Sequence, residues 1–151
     1  MDNASLIIGL VLTLVCALPL FYIVNKQSQN RKKVNEIFHS FGEGKYNFAT
    51  NETHYKKIYA LDKDNKAFLF LDLDKETDRT HFVDLNEMTS CKVEEISAGR
   101  NSRIVMTFKA GAKQTKEIIL YDLATDKLGK AYWLENEKFA KKWQTLIEDC
   151  I

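Results

Sequence analysis

Cysteine is scarce in this chain, with three residues at Cys16, Cys91 and Cys150. They form no CxxC pair and no evenly spaced framework, which excludes a disulfide-stapled scaffold and fits a reducing compartment. Histidine is equally sparse. His39, His54 and His81 stand far apart, without an HExxH or comparable pair, so no zinc-ligand spacing is present. The six glycines build neither a phosphate-cradling loop nor a GxSxG elbow. A basic excess is lacking too: 22 Lys and Arg face 21 Asp and Glu, which argues against a dedicated nucleic-acid binder. The stretch "DLDKETD" from Asp72 alternates acids as a calcium loop does. It has Thr77 where that loop needs Gly, and Val83 where it needs Glu, so it reads as a solvated turn. These absences leave no catalytic motif, and a non-enzymatic chain without metal or cofactor is the expectation.

Charge is missing from one long stretch. Between Ser5 and Val24 there is no Asp, Glu, Lys or Arg, and thirteen of the positions are Leu, Ile, Val or Phe. Twenty residues as a helix rise ~30 Å, about the thickness of a bilayer's hydrocarbon. On an insertion scale the apolar residues supply about −4 to −8 kcal/mol. Pro19 frees one carbonyl, which membrane helices tolerate. The preceding "MDNAS" has no basic residue, and Asn25, Lys26 and Gln27 make no A-x-A-like cleavage site, so a retained anchor is expected over a cleaved signal peptide. All the Lys and Arg follow the segment, which by the positive-inside rule puts the N-terminus outside and the rest in the cytoplasm. Lys26, Arg31, Lys32 and Lys33 close to its end are candidate contacts for anionic lipid headgroups. Gly9, Thr13 and Ala17, at four-residue spacing, are a candidate stripe for packing against another helix.

The expected organisation is a tail over 1–4, a transmembrane helix over 5–24, a basic segment with an amphipathic helix over 25–44, and a globular domain over 45–151. In "RKKVNEIFHSF", Val34, Ile37, Phe38 and Phe41 fall on one helical face, and Gly42 ends the run. The stretch from Phe48 to Thr53 reads as irregular. Six strands then follow: Tyr55 to Leu61, "AFLFLDL", "THFVDL", "SCKVEEI", "RIVMTFK" and "KEIILYD". They arrive without intervening helices, so the sheets should be antiparallel. The chain closes on "ENEKFAKKWQTLIEDCI", whose Phe139, Trp143, Leu146, Ile147 and Cys150 line one side of a helix with Asn136 as its N-cap.

Antiparallel strands closed by one amphipathic helix with a central Trp resemble the pleckstrin-homology-like superfold. The resemblance rests on the Trp143 helix and on the hairpin "KKIYALDKDNKAFLFLDL", and covers about Lys45 to Ile151. It implies an α+β domain: a β-sandwich or open barrel of six to seven strands, capped by the C-terminal helix through Phe139, Trp143, Leu146 and Ile147. It also implies a binding or scaffolding role. Charge adds one surface clue. Ser97 to Lys130 carries seven basic residues against Glu117, Asp122 and Asp126, so Arg100, Arg103, Lys109 and Lys113 are candidates for a basic surface facing an acidic partner or anionic lipid. The combined expectation is a single-pass membrane protein presenting a binding module to the cytoplasm, with a protein partner. An accessory subunit of an envelope complex, held through its anchor, is the alternative.

Overall fold

The computed structural model describes residues 13, 15, 17–19, 21–23, 32, 34–77, 79–111, 114–126 and 128–151. The chain divides into two compact units, Met1–Lys45 and Tyr46–Ile151. In the first, residues 34–40 are helical and run into a 3-10 turn, Phe41–Gly44. Gly44 has φ +82, the left-handed conformation that ends a helix with least strain in glycine.

The membrane-spanning expectation is corrected here. A span needs about 20 consecutive apolar helical residues, and among the described residues no helix is long and apolar enough to cross a membrane. Most of segment 5–24 lies outside the described residues, as do Gly9, Lys26, Arg31 and Lys33. The single-pass topology, the outside-to-cytoplasm orientation, the integral-membrane partnership and both anchor-based functions lose their support with it.

Among its described residues the second unit holds seven strands in two antiparallel sheets. The first sheet runs in chain order through β1 (Thr50–His54), β2 (Lys57–Asp62), β3 (Ala67–Asp72) and β4 (Thr80–Asp84). The second holds β5 (Ser90–Ile96), β6 (Arg103–Ala110) and β7 (Gln114–Asp122). Among the described residues no strand of one sheet pairs with a strand of the other, so the β-sandwich or open barrel expected from the resemblance is corrected to two open antiparallel sheets. The stretch around Tyr132 adds no strand: Lys130–Tyr132 form a 3-10 turn leading into helix α1 (Trp133–Glu148). The seventh strand is instead β1, in the stretch that reads as irregular.

The β2–β3 hairpin shows how side chains fix the turn. Asp62, 1% exposed, accepts from the backbone N–H groups of Asp64 and Asn65, from Asn65 Nδ2 and from Asn47 N–H. Burial alone would raise its carboxyl, but the bonds from Asn65, Asn47 and Asp64 hold it below the ordinary range. Strands β2 and β3 are buried on both faces, which explains their near-continuous apolar runs. Tyr59, Leu61, Phe68 and Phe70 enter the main core, where Ile104, Met106 and Phe108 of β6 and Ile118 and Leu120 of β7 meet them. Helix α1 drives Ala140, Trp143 and Ile147 into the same core, each 0% exposed.

Candidate functional site: the two sheet edges beside Lys116

Two open sheets have four edge strands, and an unguarded edge is a template for pairing. Helix α1 reaches two of these strands. Against β1, Lys142 pairs with Glu52 at 2.8 Å, Trp143 Nε1 donates to the same carboxylate at 3.3 Å, and Phe139 stacks on His54 at 4.2 Å. Against β5, Gln144 Oε1 accepts the Val93 N–H at 2.8 Å, and Trp133 Nε1 donates to Glu95 at 3.0 Å. One amphipathic helix thus supplies polar partners to an edge of each sheet. Its N-terminus differs from expectation. The helix begins at Trp133, Tyr132 holds the cap position without a side-chain bond, and Asn136 sits one turn inside with its Nδ2 donating to Tyr132 O.

The remaining edges, β4 and β7, flank a groove of about 610 Å³. Phe82, Val83 and Met88 give it an apolar floor, Asp84 and Glu87 line one side, and Lys116 lines the other. Phe82 also rests against Tyr46, with ring centroids 5.1 Å apart. Asp84 is held by its own turn, since its Oδ1 accepts from Asn86 N–H and from Asn86 Nδ2. Lys116, exposed on β7, donates its ammonium to the Phe82 carbonyl across the groove. A cation therefore already occupies a main-chain acceptor on β4, beside two carboxylates.

Those residues singled out from sequence that are described occupy separate elements. Of Lys26, Arg31, Lys32 and Lys33, only Lys32 is described, helical and exposed in the first unit. Arg103 is committed to Asp122, Nε to Oδ2 2.9 Å. Arg100 lies in the β5–β6 loop, whereas Lys109 sits at the far end of β6. Lys113 lies outside the described residues. The three described residues are spread over the β5–β6 loop and the two ends of β6. The cap residues do converge: Trp143 and Ile147 are core, while Phe139 and Leu146 pack at its margin.

Burial, with Glu148 adding to it, pushes the Cys91 thiol up to about 12, so it is no nucleophile at neutral pH. His81 lies beside Phe70 at 6.0 Å. Among the described residues no cluster of His, Cys, Asp or Glu is arranged to hold a metal. Lys116 and Phe82, 34 positions apart, carry no sequence signal of their pairing.

Comparison with known protein families, with curated proteins and with solved structures yields no match. Together with the two open sheets, this corrects the pleckstrin-homology-like resemblance. What stands is a small domain of two antiparallel sheets and a C-terminal helix.

Proposed function

We propose that the domain is a non-catalytic recognition module that receives an extended polypeptide segment along the outer side of β4. The observation that carries this reading is the asymmetry of the edges. The helix bonds the main chain of β5 through Gln144 and the Glu52 side chain of β1, while β4 and β7 border a groove of ligand size. Strand addition supplies main-chain hydrogen bonds, and alternate side chains give specificity. The chemistry of the groove selects the segment. Asp84 and Glu87 favour a lysine or arginine, and Lys116 on the Phe82 carbonyl shows where a cation rests. In the unbound protein that lysine blunts the edge, as lysines on edge strands do. An incoming segment displaces it into solvent at little cost, because an exposed lysine bond is weak.

The test is a titration of the isotope-labelled full chain with two hexapeptides, one alternating valine and lysine, the other valine and glutamate. The lysine peptide is expected to shift the amides of Thr80–Asp84 saturably, and Glu87→Lys to weaken that response. Equal responses to both peptides, or none on β4, overturn the reading.

A further inference from the structure

A second depression lies between the β5–β6 and β7–α1 loops. Its volume is about 680 Å³, and its lining is Gly99, Arg100, Asn101, Leu123, Ala124 and Lys130. Three bonds fix the loops that form it. Ser102 Oγ donates to Gly99 O at 2.8 Å and closes the turn that carries Arg100. Leu123 N–H donates to Ser102 O at 3.0 Å and ties one loop to the other. The hydroxyl of buried Tyr121 donates to Gly129 O at 2.7 Å and anchors the residue before Lys130. Gly129 has φ +65 and ψ −170, a conformation essentially confined to glycine, so Lys130 leaves its loop in a set direction.

Charge in this depression is one-sided. Arg100 and Lys130 line it, and no carboxylate among the described residues does. The nearby acids are already engaged. Asp122 accepts from Arg103 Nε and from Ala124 N–H, each at 2.9 Å, and Asp126 holds Lys57 and the Asp122 N–H. A guanidinium, an ammonium and the Asn101 amide offer many donors and no second charge to balance them. One carboxylate would neutralise one of the cations. A group carrying about two charges over three oxygens would neutralise both, and arginine's fork matches that geometry. Leu123 and Ala124 leave an apolar strip for the body attached to it.

We infer that this depression binds a phosphate monoester in its dianionic form, Arg100 and Lys130 taking the charged oxygens. The inference is independent of the groove at β4.

The test uses the labelled full chain with inorganic phosphate, phenyl phosphate, acetate and a phosphoserine hexapeptide as probes. The phosphates are expected to shift the Gly99–Ser102 and Lys130 amides saturably, with acetate at least about tenfold weaker. Affinity for phenyl phosphate should fall between pH 7.5 and pH 5 as the monoester dianion gains a proton near pH 6. Arg100→Ala with Lys130→Ala should remove the response, and Lys109→Ala should leave it intact. Tighter binding of phenyl phosphate supports a free small molecule as the source, and tighter binding of the peptide supports a phosphorylated side chain. Acetate binding as tightly as phosphate overturns the inference. So does an unchanged response in the double variant, or no saturable shift at these amides.

Discussion

Lys57 on β2 places its ammonium 2.8 Å from Asp126 in the loop after β7, with the two side chains only 6% and 13% exposed. The same nitrogen donates to Leu120 O at 2.7 Å and lies 4.8 Å from the centre of the Tyr121 ring. One cation from the first sheet thus closes onto a carboxylate, a main-chain carbonyl and a ring from the second. Among the described residues the sheets share no strand pairing, so this contact pins two layers that no ladder of backbone bonds joins.

Removing one partner strands a buried charge, whereas replacing both with apolar side chains does not. Asp126→Ala is expected to cost about 3–5 kcal/mol, and Lys57→Met combined with Asp126→Leu to be close to neutral. Urea unfolding of the wild type, the single variant and the double variant measures this. A double variant as unstable as the single one would show that the pair's geometry, rather than the orphaned charge, matters.

The fold was legible where burial and periodicity agree. "AFLFLDL" reads as a strand because β3 is buried on both faces, and "RIVMTFK" because Ile104, Met106 and Phe108 alternate into the core. "TNETH" does not read as a strand, because β1 turns Glu52 and His54 toward the helix, where they find polar and aromatic partners in place of core contacts. The start of α1 is misplaced in sequence because Asn136 looks like a cap, although its side chain bonds backward to Tyr132 from within the first turns. The groove and the Lys57 pair were illegible for another reason. They join residues 34 and 69 positions apart, and nothing local marks either member.

His54 gives the domain a pH dependence. Its Nε2 is sealed from solvent and has no hydrogen-bond partner, the only such buried side-chain atom among the described residues. The ring stacks on Phe139 with an interplanar angle of 11°, and Tyr55 meets it edge-on. Burial lowers its pKa below the ordinary 6.5, Glu135 and Glu52 opposing the shift and Lys57 adding to it. A base lowered in this way binds its proton more readily in the unfolded chain, so stability rises with pH across the window below 6.5. The contribution is complete above that value and is lost as pH falls toward the folded pKa. His54→Phe keeps a stacking ring and removes the titration, so its urea midpoint should fall less than the wild type's between pH 7 and pH 5. Parallel slopes for the two proteins would remove His54 as the cause.

Trp143 tests whether the helix is structural or displayed for binding. It is 0% exposed, with Tyr59 at 5.5 Å and Phe68 at 6.1 Å between ring centroids, and its Nε1 reaches Glu52. Truncation empties the centre of the core and removes a donor from the β1 edge. Trp143→Ala should therefore cost about 3–5 kcal/mol, a large share of a domain's ~5–15. Trp143→Phe retains most of the ring packing, and Glu52 keeps Lys142 as its partner, so the loss should be smaller. Urea melts of the three proteins decide it. A shift below about 1 kcal/mol for Trp143→Ala would mean that α1 contributes little to the core and that β1 and β5 hold together without it.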